Sequence, residues 1–362
     1  MRLEDMCTVF TDGDWIESKD QSDAGIRLIQ TGNIGEGTYL EKETRAKYIS
    51  EEVFEKLKCT EIYPGDILVS RLPEPVGRAC IIPGKDERMI TAVDCTICRL
   101  DQTVVCKEYL CYFMCSNTYY TRILRNVTGT TRKRISRKNL GNIELNVPPK
   151  EEQKEVVRRL DCLVKMIDSR TKELELLNDL IKARFVEMFD LNKCVYGTFE
   201  KNTDFVDYRG KTPELSNLGN VRMVNAKSVG KGVFKTVNEY VTEEVYENWM
   251  HRGLGCPGDI LFVTEGHTFG NTCLVPDYLK KFALGQRVIT IKGHSDVIDN
   301  AFLCTYMQME QFKQDINVYK TGGTAQGIRS KDLLKIRLPL PNYKEQKEFA
   351  DFVKQVDKSK LI

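Results

Sequence analysis

Pro64-Gly65-Asp66-Ile67-Leu68 occurs a second time in the chain, as Pro257-Gly258-Asp259-Ile260-Leu261, so that residue 65 corresponds to residue 258 at an offset of 193. Two further pairs of segments keep this offset: Gly77–Pro83 with Gly270–Pro276, and Leu110–Met114 with Leu303–Met307. Solenoid repeats are about 20 to 50 residues long, so a period of this size indicates two whole domains in tandem. The sequence therefore predicts one fold used twice.

The composition is that of a globular protein without a large excess of charge. The chain has 362 residues, 41% of them hydrophobic, with 54 Lys and Arg against 52 Asp and Glu. A chain of this length can form two domains with substantial cores. Because the net charge is only +2, a surface that binds nucleic acid has to come from local clustering of basic side chains.

The sequence predicts a cytoplasmic location. The N-terminus turns acidic at Glu4 and Asp5 and leads into no apolar segment of the kind that a signal peptide requires. No apolar run reaches the roughly 20 residues of a membrane span, so we expect no contact with a membrane. The 13 cysteines then indicate reduced thiols, without disulfides.

Each copy predicts an α+β domain in which small β-rich sheets have flanking helices. Short β-rich runs such as Asp66–Ser70 and Val288–Ile291 alternate with Pro-Gly and Gly turns. The segment from Lys150 to about Phe189 has no Gly or Pro and predicts a helix of roughly 60 Å. Its apolar residues keep the four-three spacing of a coiled-coil seam, interrupted by Arg170 and Arg184: Val156, Leu160, Leu163, Ile167, Leu174, Leu177, Ile181 and Met188.

The second copy ends in the start of a similar helix. Pro341–Glu348 mirrors Pro148–Glu155, with Asn342 placed to cap the helix and Glu345 three residues later. Position 362 corresponds to position 169 of the first copy, so this helix stops about 21 residues before its twin would. The predicted boundaries are 1–149 for the first globular domain, 150–190 for the long helix, 191–341 for the second globular domain and 342–362 for the shorter helix.

The sequence lacks motifs for nucleotide or nucleophile chemistry, and we expect no catalytic residue and no cofactor. A Gly-rich loop ending in Gly-Lys-Ser/Thr is absent. None of the three histidines, His251, His267 and His294, has the i, i+4 partner of a zinc helix.

A zinc site can be built on spacing alone from five cysteines: Cys95, Cys98, Cys106, Cys111 and Cys115. The repeat provides a control for this possibility. The equivalents of Cys95 and Cys98 in the second copy are Val288 and Ile291, which are apolar strand residues. Buried thiols are therefore favoured over a metal.

One segment carries the strongest local charge. Thr131-Arg132-Lys133-Arg134-Ile135-Ser136-Arg137-Lys138 has five basic residues in seven positions, and Ile135 and Leu140 anchor it between structured elements. A solvated face is the alternative, but the pattern favours contact with nucleic-acid phosphates. The second copy has a less basic counterpart of this segment, which follows a Thr-Gly-Gly-Thr turn and includes Gln326, Arg329 and Lys331.

The loops that follow the Pro-Gly-Asp-Ile-Leu strands differ most between the copies. They are Ser70–Glu74 in one and Thr264–Thr268 in the other. If the basic segment binds nucleic acid and each copy recognises its own sequence, the copies differ where they touch bases, and Arg can bind guanine through a bidentate contact. Structural variation of loops accounts for the same difference, so both interpretations stay open. The further candidate DNA contacts are Arg71, Arg78, Thr264, His267 and Lys320.

The duplication, the recurring Pro-Gly-Asp-Ile-Leu and the paired Glu-Gln helix starts resemble the specificity subunit of type I restriction-modification systems. The resemblance covers nearly the whole chain, and its helix motif runs from Pro149 to Gln153 and from Asn342 to Gln346, with Asn replacing Pro in the second copy. It implies two tandem target-recognition domains with long antiparallel coiled-coil helices that act as a ruler. It also implies a non-catalytic protein that recognises a two-part target in double-stranded DNA and holds methyltransferase subunits and a restriction (translocase) subunit.

Two other classes of protein stay open. The chain could be a DNA-modifying enzyme with an unrecognised active site, although Val147-Pro148-Pro149-Lys150 lacks both flanking residues of the Asn/Asp/Ser-Pro-Pro-aromatic loop that holds a flipped base. It could also be a coiled-coil scaffold that binds no nucleic acid. The basic segment and the duplicated loops weigh against a scaffold.

The difference in helix length predicts a partner surface. We expect the shorter helix to cover the first part of the long one, Val156, Leu160 and Leu163, and to end before its distal part. An apolar stripe left uncovered in water is normally an interface. The stripe would then bind a methyltransferase subunit, the second globular domain or another copy of this chain. Its residues are Leu174, Leu177, Ile181 and Met188.

Overall fold

The structure, a computed structural model, describes residues 1–130, 132–208, 212–322 and 326–360. The chain divides into two compact units, Met1–Asp168 and Ser169–Ile362. The boundary falls within the long helix, so the segment 150–190, predicted as a separate spacer, contributes to both units. Among the described residues, none of the helices combines the length and the apolar character needed to cross a bilayer.

The first unit has two four-stranded sheets. Its strands are β1 Cys7–Asp12, β2 Ile26–Ile29, β3 Tyr48–Ile49, β4 Glu61–Ile62, β5 Ile67–Ser70, β6 Ala79–Ile81, β7 Met89–Thr91 and β8 Cys95–Leu100. Its helices are α1 Glu51–Leu57, α2 Lys107–Met114, α3 Asn117–Arg125, α4 Arg137–Gly141 and the long α5 Lys150–Met188, which extends into the second unit. The antiparallel sheet has the order β1-β8-β5-β6, and the mixed sheet has the order β3-β2-β7-β4 with β2 and β7 parallel.

The second unit has a closely related topology, in which the mixed sheet has three strands instead of four. Its strands are β9 Val195–Thr198, β10 Thr203–Asp207, β11 Val221–Val224, β12 Tyr240–Val241, β13 Ile260–Val263, β14 Thr272–Leu274, β15 Phe282–Leu284, β16 Val288–Gly293 and β17 Arg337–Leu340. Its helices are α6 Phe199–Asn202, α7 Glu243–Trp249, α8 Asn300–Tyr306, α9 Glu310–Val318, α10 Ser330–Leu333 and α11 Tyr343–Ser359. The sheets have the orders β10-β16-β13-β14 and β12-β11-β15, and β17 pairs with β9. The predicted duplication of an α+β fold is confirmed.

Short 3-10 helices occur at turns in both units. They are Glu4–Met6, Ser18–Asp20, Thr31–Asn33, Glu43–Arg45, Leu191–Lys193 and Ala226–Ser228. The apolar runs Ile67–Val69 and Ile260–Val263 lie in the central strands β5 and β13, whose residues are buried on both faces. Alternate side chains of a strand point to opposite faces, which explains why these runs are continuously apolar rather than alternating.

The recurring Pro-Gly-Asp motif forms the turn that leads into each central strand. Gly65 and Gly258 have φ angles of 94° and 84°, a left-handed conformation that a residue with a Cβ adopts only with strain. The buried carboxylates of Asp66 and Asp259 each accept a hydrogen bond from the backbone amide three residues earlier, at 2.9 and 2.8 Å. The motif is therefore a structural turn, and its recurrence marks the equivalent point of each fold.

A buried glutamine from the Glu-Gln motif attaches α5 to the first unit. Gln153 has no exposed surface. Its Oε1 accepts a hydrogen bond from the amide of Cys106 at 2.8 Å, and its Nε2 donates to the carbonyl oxygens of Val104 at 3.0 Å and Pro148 at 2.8 Å. One side-chain amide thus joins the first turn of the helix to the segment before α2. We call this arrangement the glutamine anchor.

The second unit has the same glutamine anchor at the start of α11. Gln346 is equally buried, and its Oε1 accepts a hydrogen bond from the amide of Asp299 at 2.9 Å. Its Nε2 donates to the carbonyl oxygens of Val297 at 3.1 Å and Pro341 at 2.9 Å. All four residues are offset by 193 from those of the first anchor. The predicted cap is also confirmed, because the Asn342 side chain accepts a hydrogen bond from the Lys344 amide at 2.9 Å.

The distal part of α5 is buried within the second unit. The rings of Phe185 and Phe189 pack against Phe349 of α11 and Phe302 of α8, with centroids between 4.8 and 5.6 Å apart. Where the C-terminal end of α11 meets α5, Arg170 donates hydrogen bonds to the carbonyl oxygens of Lys360 at 3.1 Å and Ser359 at 3.2 Å. Hence α11 runs antiparallel to residues 170–189.

The expectation that the shorter helix would end before this stripe is therefore wrong, but the second globular domain, one of the three partners considered for it, does cover it. Ile181 belongs to the core of the second unit, Leu177 and Met188 pack against that core, and Leu174 is half-buried. Heptad spacing identifies the apolar face of a helix but not the direction of its partner, and an antiparallel partner that begins beside Phe185 covers the distal part first. The exposed apolar side chains of α5 lie off this buried face. One group lies in the first unit, Leu163, Val164, Met166 and Ile167 at 54%, 42%, 61% and 64%, and the others lie in the distal part, Leu176, Leu180 and Val186 at 60%, 48% and 70%.

We predict that the glutamine anchors stabilise both units. Gln153→Ala and Gln346→Ala should each lower the free energy of unfolding by about 2–4 kcal/mol, because three buried backbone groups lose their hydrogen-bond partner. Gln355→Ala, at an exposed position of α11, should change it by no more than about 0.5 kcal/mol. Urea unfolding followed by circular dichroism measures these differences, and a loss below that of the Gln355 control would contradict the anchor.

Candidate nucleic-acid interface

In both units the loop after the central strand lies against the segment that follows the Thr-Gly turn. The Ile135 amide donates a hydrogen bond to the Arg71 carbonyl at 3.2 Å, and the Ile328 amide donates to the Thr264 carbonyl at 2.9 Å. These pairs are equivalent at the offset of 193. The two parts of the sequence predicted to contact DNA thus meet beyond the end of β5 and of β13. We call this region of each unit the paired-loop surface.

The second segment of each paired-loop surface is closed by two backbone hydrogen bonds. Thr128 and Arg134 exchange amide-to-carbonyl bonds of 2.9 Å, and Thr321 and Gly327 do the same at 2.9 and 3.0 Å. Thr131 of the predicted basic run, and the residues 323–325 that include part of the Thr-Gly-Gly-Thr turn, lie outside the described residues. The conserved closure in both units positions two loops whose sequences differ.

The five basic side chains of the first segment are all exposed, and two of them face carboxylates of their own unit. Arg134 forms an ion pair with Asp94 at 2.9 Å, and Arg137 approaches Asp12 at 3.9 Å. Within the described part of the chain, no carboxylate pairs with the other three: Arg132, Lys133 and Lys138. Those three cations can therefore meet a negatively charged ligand without first breaking an ion pair.

Arg71, predicted to contact a base, is turned into its own unit. Only 5% of the residue is exposed. Its Nη2 donates to the Val93 carbonyl at 2.6 Å and lies 3.2 Å from the Asp12 carboxylate. Burial lowers the pKa of this guanidinium. In this conformation Arg71 supports the paired-loop surface from beneath and does not reach outward, so we leave it out of the proposed contacts.

Arg78 likewise has a structural position. Its Nε donates to the Ile34 carbonyl at 2.7 Å and its Nη2 to the Thr31 carbonyl at 2.7 Å, while Nη1 donates to Leu72 at 2.9 Å and Pro75 at 3.1 Å. The guanidinium is buried and its donors are engaged by two loops, so the expectation of a DNA contact is not supported here. In the second unit the equivalent residue is Asn271, a shorter side chain, which donates one such hydrogen bond, to the Val229 carbonyl at 3.1 Å.

The candidates in the second unit divide between buried and exposed positions. Thr264 has no exposed surface, and its hydroxyl donates to the Arg287 carbonyl at 3.2 Å, so it holds the loop and cannot face a base. His267 and Gln326 are exposed, and the Gln326 carbonyl accepts a hydrogen bond from the Gly266 amide at 2.8 Å. The basic candidates are exposed or half-buried: Lys320, Arg329 and Lys331.

No sequence motif identified Asp12 as a site residue, although its carboxylate contacts several residues of the first paired-loop surface. Its carboxylate accepts a hydrogen bond from the Thr96 hydroxyl at 2.8 Å and faces the guanidinium groups of Arg71 and Arg137. The equivalent carboxylate of the second unit, at Asp207, accepts a hydrogen bond from the Ser330 hydroxyl. The recurrence of an aspartate at the end of the first sheet strand was the available signal.

The cysteines considered for zinc lie mainly in the core. Cys95 and Cys98 are buried in β8, and burial raises the pKa of the Cys95 thiol to about 12. A metal would need the thiolate form, which such a pKa disfavours. Within the described ranges, no group of three or more His, Cys, Asp or Glu side chains is arranged to hold a metal ion.

Comparison with known proteins gives relatives of one kind. The chain is 24% identical over 333 residues to the putative type I restriction enzyme MjaX specificity subunit of Methanocaldococcus jannaschii, a match that covers 87% of this chain and 76% of that protein. It is 26% identical to the type I restriction enzyme MjaVIII specificity subunit of the same organism, covering 63% of this chain and 59% of that protein.

The fold is similar to that of solved structures. A type I restriction-modification system S subunit from M. genitalium aligns over 99% of this chain and 89% of its own, with a TM-score of 0.55 and 14% identity. A chain from a study of complex assembly and conformational transition in a type I restriction-modification system aligns over 100% and 90%, with a TM-score of 0.51 and 14% identity. At this level of identity the similarity concerns the fold alone.

The model of the type I restriction modification DNA specificity domain matches residues 1–179 and 201–362, one match for each copy. Together these ranges include nearly all of the sequence. The chain belongs to the family of type I restriction-modification DNA specificity proteins.

Proposed function

We propose that each paired-loop surface of this specificity subunit contacts one half of a two-part DNA target. The observation that carries the proposal is the repeated hydrogen bond between the two loops, Ile135 to Arg71 and Ile328 to Thr264. The same backbone frame presents different side chains in the two units, as two readers of different sequences require. The family function is sequence-specific DNA recognition in a type I restriction-modification system, and its members are recognition components rather than catalysts.

The exposed side chains of the two surfaces suit two kinds of DNA contact, with backbone phosphates and with base edges. In the first unit, Arg132, Lys133 and Lys138 would meet backbone phosphates, which position a protein on DNA without selecting a sequence. In the second unit, Gln326 and His267 are exposed polar side chains that could meet base edges. Glutamine can bind adenine through a bidentate contact in the major groove.

The modification subunit would dock on the exposed apolar face of α5 in the first unit. This face consists of Leu163, Val164, Met166 and Ile167, and charged residues of the same helix surround it. An uncovered apolar patch rimmed by polar residues indicates a protein interface. A helical partner fits a face of this kind, because side chains of a second helix can interdigitate with it. The restriction subunit would join the assembly through the same complex, in the cytoplasm.

Removing a phosphate contact should weaken binding to every DNA sequence alike. Arg132→Ala should lower the slope of log K against log salt by about 0.9. Arg134→Ala should have a smaller effect, since Arg134 already pairs with Asp94. Fluorescence-anisotropy titrations of the assembled complex with DNA at several salt concentrations give the slopes. A change in base preference, rather than in the salt slope, would show that Arg132 does not contact phosphate.

Removing a base contact should change one position of the target. Gln326→Ala in the assembled complex should reduce discrimination at one base pair by about 1–3 kcal/mol and leave the other half-site unaltered. Lys331→Ala serves as the control and should weaken binding uniformly. Methylome sequencing of cells that produce each variant with its modification subunits shows the preferred motif. An unchanged motif for the Gln326 variant would remove this residue from the contacts.

Charge placed on the exposed face of α5 should prevent assembly. Leu163→Glu combined with Met166→Glu would bury two charges in the proposed interface, which is costly without partners. Leu218→Glu, at a residue 93% exposed, is the matched control. Sedimentation of the chain mixed with its modification subunit should show free chain for the double variant and complex for the control. Complex formation by both would show that the modification subunit docks elsewhere, and loss of self-association alone would indicate a second copy.

A further inference from the structure

The first unit holds α5 mainly through polar contacts. Besides the three hydrogen bonds of Gln153, the Tyr112 hydroxyl donates to the Asp161 carboxylate at 2.6 Å, a hydrogen bond that raises the pKa of Tyr112 to about 12. No side chain of α5 between residues 150 and 168 belongs to the apolar clusters described for this unit. The position of the helix on the first unit thus depends on these directional bonds and on the half-buried Val156, Val157 and Leu160, which lie outside the apolar cores.

The second unit holds its helices in a different way. Ile181 and Phe185 of α5, Phe189 directly after this helix and Phe349 of α11 lie in one apolar core, where each is at least nine-tenths buried. Aromatic packing of this kind persists when a single hydrogen bond is removed, because the stabilisation is spread over many van der Waals contacts. The two glutamine anchors are equal in geometry but unequal in what surrounds them.

Gln153 is placed to fix the direction of the helix as well as its attachment. Its three partners come from two segments, the stretch from Val104 to Cys106 and the residue Pro148 that precedes the helix. Bonds to both segments resist tilting and rotation of the first turn together. Two polar contacts that would remain without Gln153 are the partly exposed bond from Tyr112 to Asp161 and an exposed bond from Lys150 to the Gln102 carbonyl.

We infer that Gln153 is a positioning residue that sets how strictly the protein measures the spacer between its two DNA half-sites. The inference rests on the proposed function. A loosened helix would let the first paired-loop surface meet its half-site over a wider range of separations, whereas loss of Gln346 leaves the aromatic core of the second unit to hold α11. The two anchors should therefore differ in their effect on spacer length, despite their identical hydrogen bonds.

The experiment uses the chain produced together with its modification subunits in cells without other DNA methylation. Methylome sequencing of the wild type first gives the two half-sites and their spacer length. A plasmid library then presents both half-sites with spacers from two base pairs shorter to two longer, and sequencing gives the methylated fraction at each length. The readout is the ratio of methylation at altered lengths to methylation at the natural length.

We expect Gln153→Ala to raise this ratio about tenfold, a change on the scale of one lost hydrogen bond. Gln346→Ala should raise it no more than about twofold, and Gln355→Ala should leave it unchanged. If the alanine variant fails to fold, Gln153→Met fills the same space without hydrogen bonds, and Tyr112→Phe removes the second polar contact; both should widen the accepted spacer lengths.

Several results would overturn the inference. Variants of Gln153 that lower thermal stability and total methylation but keep the wild-type ratio would show a purely structural residue. Equal effects of Gln153→Ala and Gln346→Ala would show that the different surroundings of the two anchors are irrelevant. A wild-type motif that is not divided into two parts would instead contradict the proposed function, so the two failures are distinguishable.

Discussion

A side-chain amide without access to water must find partners for its donors and its acceptor inside the protein, and this requirement governs the join between globular unit and helix. Gln153 and Gln346 meet it with the same three backbone groups at equivalent positions. An unpaired polar group in such a site costs about 1–3 kcal/mol, so the backbone before α2 or α8 and the first turn of the helix can coexist in few arrangements. Each unit can diverge elsewhere as long as this join is kept.

Much of the fold could be predicted because the sequence repeats and because its helix and turn residues are regularly spaced. The constant offset of 193 predicted two copies, and the absence of Gly and Pro from Lys150 onward predicted α5 almost to its last residue. The role of the Glu-Gln motif could not be derived in this way. A glutamine at the start of a helix is usually exposed, and only the packed structure shows that Gln153 faces inward to the Cys106 amide.

The candidate contacts were predicted less well than the fold, for a reason that Arg78 makes clear. Sequence alone shows that a cation is present but not whether backbone carbonyls already engage it, and Arg78 bonds to four of them. The repeat gave one indication that Arg78 is structural, since Asn271 at the equivalent position is also a donor and makes an equivalent hydrogen bond. A donor retained in both copies supports the shared frame, while contacts that select a sequence are expected where the copies differ.

This distinction also explains the arrangement of charge around the paired-loop surface. The buried Arg71 and the half-buried Asp12 form an ion pair beneath it, and the low exposure of Arg71 makes this pair dependent on good geometry. Arg132 and Lys133 lie above it, exposed and unpaired within the described chain. A buried pair fixes the position of the loops without adding net charge, and the exposed cations then act from a defined place. A net charge near neutrality is thus compatible with the proposed DNA contacts, because the frame leaves these cations without a carboxylate.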